Sequence, residues 1–583
     1  CGDQAKPQKK MRPISKPNIV LIMADDQGWG DLSIHGNTNL NTPNIDALAQ
    51  NGVSFENFFV QPVCSPTRAE VLTGVHFPKL GVYDTSAGGE RMDTSAVTLG
   101  DILAKEGYAT AAYGKWHNGM QPPYHPNSRG FHDYYGFTSG HWGNYFSPML
   151  EHNGAIVKGE GFLVDDLTDH GLEFISHNTE APFFLYLPYN TPHSPMQVPD
   201  EYWNRFKDRE LEKTYHGEEK EDIEFTKAAL AMVENIDFNV GRVMEKLQDL
   251  DLEKNTIVIY MTDNGPNGWR WNGDMQGKKG SVDEGGVRSP FFIQWKDSLP
   301  AGEKIGRIAS TLDILPTLID LAGIELKTEK KLDGKSLKPL LFQKEREWPD
   351  RLVFNHWNGK TSVRTQQYRL DRNNALYDMI QDREQSQDVS KEFPKIADSL
   401  VRAKNQWLAT VSPKLPSEID DRPFTLGHPD HAYTQIPARD GIPHGNIKRS
   451  NKYPNNTFFT HWKSKKDSIT WDLDVLADGH FEVELYYTAS EKAKGTVLSL
   501  AMGDNQITQS VTQAHDPPLT GMENDRVPRI ESYVKDFISM ELGEIQLNKG
   551  KGTLILKALE IPNGAAVDVR LLLFKKVKDH LQP

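Results

Sequence analysis

The sequence predicts an open α/β domain, a mixed and mostly parallel sheet with helices on both faces, followed by a small α+β subdomain and a separate all-β sandwich. Three observations carry this. Continuous apolar runs bounded by polar residues alternate with amphipathic stretches from Pro17 to about Gly323, the pattern of strands buried on both faces between crossover helices. Short alternating runs separated by turn residues fill the chain from about Asn456 onward, the pattern of a sandwich. Between the two lies a stretch rich in Pro, Asp, Gly and His, "SPKLPSEIDDRPFTLGHPDHAYTQIPARDGIPHG", expected as a linker or a strap over the surface.

The elements follow in order. "NIVLIMA" (18–24) is a buried strand. "TPNIDALAQNG" (42–52) is a helix with Thr42 as cap, Pro43 at the first helical position and Gly52 as terminator. "CSPTR" (64–68) opens a second helix, with Ser65 as its expected cap and Pro66 as its first helical residue. "TLGDILAKEGYATAAYGKWH" (98–117) gives a helix, a Gly turn and a strand, and "APFFLYLPYNTPH" (181–193) gives another strand. The amphipathic helix around "AALAMVENIDFNVGRVMEKLQDL" (228–250) leads into the strand of "NTIVIYMTDNG" (255–265). In such sheets the chemistry sits at the carboxyl ends of the strands.

At those ends the residues are telling. Asp25 and Asp26 close the first strand, and Asp263 and Asn264 close "TIVIYMT". Adjacent carboxylates repel unless a cation shares them, and four oxygen donors suit Ca²⁺ or Mg²⁺ better than Zn²⁺. Two further strand ends supply Lys115 with His117, and His193, while "GKKGSVDEGGVR" supplies Lys279. Together with a helix start they make an oxyanion site with acid/base groups. The chain has two cysteines, Cys1 and Cys64. Cys64 has no sulfur-rich neighbourhood for a metal and no plausible disulfide partner in a terminal tail, which leaves an inert buried thiol or a reactive one at a positive helix end, with Arg68 one turn on.

These segments resemble the type I, formylglycine-dependent sulfatases of the alkaline phosphatase superfamily. "PNIVLIMADDQGWGD", "CSPTRAEVLTG", "GYATAAYGKWH", "PFFLYLPYNTPHSP", "TDNG", "KGSVDEGGVRSPFFI", "STLDILPTLIDLAGI" and "LDGKSLKPLL" stand in that family's order, and "SVRTQQYRL" with "ALYDMIQDREQSQDVS" is similar to its C-terminal subdomain. The resemblance covers about residues 17 to 410 and rests most heavily on Cys-x-Pro-x-Arg. It implies an alkaline-phosphatase-like sheet and a sulfuric ester hydrolase. Cys64 would be oxidised by a separate sulfatase-maturating enzyme to formylglycine, whose hydrate is the nucleophile. Asp25, Asp26, Asp263 and Asn264 would ligate Ca²⁺ (or Mg²⁺), with residue 64 also contacting the ion. Arg68 would orient the hydrate and hold the metal-site carboxylates, and Lys115 and Lys279 would bind sulfate oxygens. Asp263 would take the attacking hydroxyl's proton, His193 would protonate the departing alcohol, and His117 would deprotonate the second hydroxyl to expel sulfate.

Around this core the expected organisation is a tether at 1–16, a catalytic domain at 17–345, its C-terminal subdomain at 346–410, the linker or strap at 411–455, and a sandwich at 456–583 that looks like a galactose-binding or carbohydrate-binding module. The polar start at Cys1 resembles a mature bacterial lipoprotein, so an exported protein held to a membrane by a lipidated Cys1 is expected. The net charge of −14 argues against a nucleic-acid partner. "HWGNYF" (141–146) and "NGWRWNG" (267–273) combine aromatics with polar groups as a sugar site does. A sulfated polysaccharide or oligosaccharide is the expected substrate, with a galacto-configured sugar favoured. A phosphatase or phosphonate hydrolase of the same superfamily, and a non-catalytic glycan-binding lipoprotein, are the competing functions.

Overall fold

The computed structural model describes residues 16–326, 331–342, 348–411 and 423–577, so Cys1 and residues 412–422 of the expected linker lie outside the described residues. Eleven strands form the main sheet: β1 (Asn18–Ala24), β2 (Val53–Phe59), β3 (Ala109–Lys115), β4 (Asp133–Phe137), β5 (Met149–His152), β6 (Ala155–Lys158), β7 (Phe183–Pro188), β8 (Thr256–Thr262), β9 (Arg288–Ser289), β10 (Phe291–Trp295) and β11 (Glu303–Ser310). Their order is β11-β2-β10-β8-β1-β7-β3-β4-β5-β6, with β9 paired to β2. The central run β8, β1, β7, β3 and β4 is entirely parallel. β10, β5 and β6 run antiparallel to their neighbours, giving the mixed, mostly parallel sheet that the apolar runs predict.

Both faces of β1 are buried, and successive residues feed two cores. Ile19, Leu21 and Met23 pack with the helices Cys64–Thr73, Leu99–Lys105 and Ile314–Leu321. Val20, Ile22 and Ala24 pack on the other face with Pro43–Gln50, Leu163–His177 and Ile223–Asp249. At about 25 cal/mol per Å² of apolar surface, this two-sided burial fixes register, because a one-residue slip would exchange the two cores.

The small subdomain is a four-stranded antiparallel sheet, Val353–Trp357, Lys360–Arg364, Tyr368–Leu370 and Leu376–Asp378, closed by the helix Pro394–Val411 over a core of Val363, Leu370, Leu376, Ala397 and Leu400. Three arginines from this region and its neighbour meet one buried acid: Glu284 pairs with Arg369 at 2.8 Å, Arg288 at 3.1 Å and Arg364 at 3.4 Å.

The C-terminal domain is a sandwich of two six-stranded sheets around a common apolar core. Much of the stretch expected as linker belongs to it. Phe424–Leu426 and Ile442–His444 pair with Ser468–Val475, Tyr433–Pro437 pairs with Asp568–Lys576, and Lys448–Arg449 pairs with Phe459–Thr460. These strands are two to five residues long, too short to show a period of two against their Pro and Gly content, which is why the sequence suggests a strap. Among the described residues no helix is long and apolar enough to cross a membrane.

Candidate active site

β1, β3, β7 and β8 run in the same direction, so their carboxyl ends open on one edge of the sheet. The parallel register sets Ala24 beside Thr262, and Asp25 and Asp263 therefore leave the sheet side by side. Asp263 N–H donates to the Ala24 carbonyl (3.2 Å), and Asp26 N–H donates to Asp263 Oδ1 (3.2 Å). Asp26 (φ 68°) and His117 (φ 64°) both adopt the left-handed backbone region. That region costs a non-glycine residue about 1–3 kcal/mol, and here it turns each side chain back over the strand ends.

The helix Cys64–Thr73 supplies the thiol and the guanidinium. Ser65 does not cap it: Val63 is the residue before the helix, extended and without a side-chain cap bond, and its carbonyl accepts from Thr67 N–H (3.4 Å). Cys64 is consequently the first helical residue, closer to the positive helix end than the sequence suggests, and it is buried. Arg68, fully buried, donates from Nε (3.1 Å) and Nη2 (2.7 Å) to Asp263 Oδ2 and from Nη1 to the Lys115 carbonyl (2.8 Å).

The remaining expected residues converge on the same spot. Lys115 Nζ donates to Asp25 Oδ2 (2.7 Å), Lys279 Nζ lies 2.7 Å from Asp26 Oδ1, and Asn264 Nδ2 donates to Asp26 Oδ1 (2.8 Å). His193 Nε2 is 3.6 Å from Asp26 Oδ2, while its Nδ1–H donates to the Ser194 carbonyl (2.7 Å). The His117 Nε2–H donates to the Thr85 carbonyl (2.8 Å), which leaves Nδ1 buried with a bare lone pair. His193 and Lys279 keep 12% and 19% of their side chains exposed, whereas Asp25, Asp26, Cys64, Arg68, Lys115, His117, Asp263 and Asn264 are buried. The mouth of the site is thus at His193 and Lys279.

The electrostatics match a cation-binding centre. Burial lifts the Asp25 carboxyl to about 6 despite the pull of Lys115, and burial with the Asp25 charge lifts Asp263 to about 6. Asp26 is held well below the usual carboxylate range because Lys279 and His193 outweigh its burial. Asp25, Asp263 and the Cys64 sulfur bring their ligand atoms within 4.8 Å of one another, as do Asp25, Asp26 and His193. Asp25 Oδ1 and Asn264 Oδ1 are buried acceptors with no hydrogen bond, each costing about 1–3 kcal/mol if left so. Oxygen donors with orphaned lone pairs fit a hard divalent ion such as Ca²⁺ or Mg²⁺.

The family model described as Sulfatase matches residues 17–324, more than half of the chain. The chain belongs to the sulfatase family. The C-terminal model of N-sulphoglucosamine sulphohydrolase matches residues 277–406 of this sulfatase. The mouse (Mus musculus) N-acetylgalactosamine-6-sulfatase is 31% identical over 381 residues, covering 59% of this chain and 69% of that protein. Human (Homo sapiens) steryl-sulfatase is 27% identical, covering 59% and 73%. The crystal structure of Ps i-CgsB is 32% identical with a TM-score of 0.62, covering 67% of this chain and 93% of that one. Proteins of this family are sulfuric ester hydrolases, and so is this one.

The two motifs expected to contact a sugar sit differently with respect to the site. In "NGWRWNG" Arg270 is locked onto Asp31 (2.7 Å) and the Asp26 carbonyl (3.0 Å), and Trp269 stacks on Tyr215 at 4.9 Å, so this loop braces the turn that carries Asp26. In "HWGNYF" Trp142 stacks on Phe137 at 5.1 Å, Tyr145 Oη donates to the carbonyls of His193 (3.0 Å) and Ser194 (2.8 Å), and the His141 ring lies 5.6 Å from that of His193. Sequence reading misses the sandwich's part altogether. Arg439 pairs with Glu90 (3.0 Å) and donates to Ser139 Oγ (2.8 Å), and Glu531 accepts from Ser194 Oγ (2.6 Å). No local pattern marks either, since each partner lies hundreds of residues away in sequence.

Proposed function

We propose that this sulfatase removes ester sulfate from a carbohydrate, with Cys64 matured to formylglycine and Asp25, Asp26, Asp263 and Asn264 holding Ca²⁺ or Mg²⁺. The observation that carries the reading is the pair of orphaned acceptors, Asp25 Oδ1 and Asn264 Oδ1, beside a buried thiol and beneath a mouth lined by Lys279 and His193. Support for a sugar comes from the relatives: an N-acetylgalactosamine-6-sulfatase at 31% identity, and Ps i-CgsB, at 32%, solved with k-i-k-neocarrahexaose. A galacto-configured sugar is the first choice.

The roles proposed for the residues are those that the resemblance implies, and the geometry supports them. A cation held by Asp25, Asp26, Asp263 and Asn264 would draw charge from sulfate oxygens, and a formylglycine hydrate at position 64 would supply the nucleophile. Lys115 and Lys279, set on either side of the carboxylate pair, offset the charge of the transferring group. His193 is fixed through its Nδ1–H, so a proton taken up on Nε2, at the mouth and 3.6 Å from the Asp26 carboxylate that favours the charged ring, would be the one passed to the departing sugar oxygen. His117 is fixed through Nε2, so its Nδ1 takes up the proton when sulfate leaves. Arg68 neutralises Asp263 and holds it against β1.

The test is sulfate release by matured protein from defined sulfated mono- and oligosaccharides, with the phosphate ester of the best sugar run in parallel. Release from at least one galactose or N-acetylgalactosamine sulfate, absent in Cys64→Ala, is expected. Faster turnover of the phosphate ester would overturn the reading, as would activity in protein retaining a thiol at position 64.

A further inference from the structure

One short segment of the sandwich, Arg529–Ser532, reaches the mouth of the site beside His193, and this segment is held rigidly. Arg529 is forked onto Asp525 and donates to the Gly143 carbonyl. The Ile530 carbonyl accepts from Asn451 Nδ2 (2.9 Å), and Ser532 and Ser450 share a hydroxyl bond of 2.7 Å. Gln197 Nε2 donates to Asp525 Oδ1 (2.8 Å) and to the Gly521 carbonyl (2.8 Å), tying the loop to the chain that follows β7. The result is a carboxylate, Glu531, placed against Ser194, the residue next to His193. Glu531 also lines a cavity of about 440 Å³ on the sandwich side, shared with Asn451, Arg529 and Tyr533, so one side chain borders both the catalytic mouth and the space beyond it.

Opposite stands His141. It is 6% exposed, 5.6 Å from the His193 ring, and among the described residues neither ring nitrogen has a hydrogen-bond partner. A buried imidazole with one donor and one acceptor unused is costly unless something polar fills the space. Burial and the neighbouring His193 push its pKa down against the pull of the Glu531 carboxylate, which favours a neutral ring with one donor and one acceptor. A carboxylate and a neutral imidazole near enough to influence each other's charge supply the acceptors and the donor that recognise hydroxyl groups. It does not suit a further anion.

Resting on the carbohydrate reading above, we propose that Glu531, delivered by the sandwich, and His141 bind hydroxyls of the sugar that bears the sulfate, making the C-terminal domain part of the substrate site. The sugar oxygen protonated by His193 would lie between them, and the cavity behind Glu531 is large enough for a neighbouring sugar unit. The plain alternative is that Glu531 only docks the sandwich through Ser194.

The experiment compares kcat/KM of matured, full-length protein on two probes: the best substrate among galactose and N-acetylgalactosamine carrying sulfate at O-4 or O-6, and 4-nitrophenyl sulfate, which has no hydroxyls to recognise. Glu531→Gln keeps an oxygen to accept from Ser194 and so keeps the docking bond. The ratio of sugar to nitrophenyl kcat/KM should fall about 10- to 100-fold in Glu531→Gln, the range for a hydrogen bond to a charged group, mainly through KM, and His141→Phe should lower it as well. Ser194→Ala removes only the docking bond. An unmoved ratio in Glu531→Gln, or a ratio change reproduced in full by Ser194→Ala, would overturn the role of Glu531. Wild-type protein that hydrolyses 4-nitrophenyl sulfate but no sugar would overturn the carbohydrate reading itself, a separate result. Should Glu531→Gln lower the thermal midpoint, calorimetric binding of the sugar sulfate to folded Cys64→Ala and Cys64→Ala/Glu531→Gln proteins gives the same comparison without turnover, and equal affinities would again refute it.

Discussion

Arg68 gives two donors, Nε at 3.1 Å and Nη2 at 2.7 Å, to one oxygen of Asp263, while the other oxygen of Asp263 receives the backbone N–H of Asp26. One guanidinium therefore connects the helix that carries Cys64 to the two strands that carry the acids. Removing it leaves a buried carboxylate uncompensated, which costs about 3–5 kcal/mol. Arg68→Ala should show a clearly lower unfolding midpoint and no sulfate release. A variant of wild-type stability would show that the pair does not brace the site.

Chelation should abolish activity and lower the melting temperature, because Asp25, Asp26 and Asp263 then face one another with only lysine and arginine charge between them. Added Ca²⁺ should restore both, and Zn²⁺ should do so poorly. Thermal shift and sulfate release on the same sample check this; full activity in demonstrably metal-free protein would refute the assignment.

His117 has little freedom. A Cβ at Gly140 would stand 2.2 Å from its Nε2, on the side where that nitrogen meets the Thr85 carbonyl. Gly140→Ala should displace the ring and cut kcat about 100-fold, with an overpacking cost of about 1–3 kcal/mol. Unchanged kcat would mean that His117 is not held by this contact.

Glu284 tests the joint between the catalytic domain and its small subdomain. Arg369, Arg364 and Arg288 outweigh burial and hold its carboxyl at about 2, below an unfolded value of 4.5. A depressed folded pKa adds stability above the unfolded pKa and loses it as pH falls toward the folded one, here between about 4.5 and about 2. The displacement corresponds to about 3 kcal/mol. Urea unfolding of wild type and Glu284→Gln should show a gap of that order near neutral pH that narrows below 4.5; a gap independent of pH would contradict the linkage.

Matured protein should carry an aldehyde at position 64, visible as a mass loss in the peptide spanning it and as reactivity toward hydrazides. Cys64→Ala should fold with a similar melting temperature and release no sulfate. An active preparation whose peptide retains the thiol would defeat this.

The catalytic sheet was legible because its central strands are apolar on both faces and end in acids, lysines or histidines, so "NIVLIMA" and "TIVIYMT" announce both the strand and its cargo. The cluster was legible for the same reason: parallel strands bring their ends together whatever lies between. Three features were not. Val63 rather than Ser65 precedes the helix, because the helix starts two residues earlier than its Ser-Pro pair suggests. The strands between Phe424 and Arg449 are too short to show alternation. Glu531 and Arg439 act through partners that only the docking of two domains creates, and nothing adjacent to them in sequence hints at it.

All ten residues of the helix Cys64–Thr73 are buried. A macromolecular catalyst needs an extended stretch of peptide to grip, and none is offered here once the sheet has closed over the helix. Any enzyme that alters Cys64 must therefore win a race against folding. On the proposed maturation of Cys64, a chain that loses the race would be trapped as a well-ordered but inert protein, so the active fraction of a population would be decided before folding is complete.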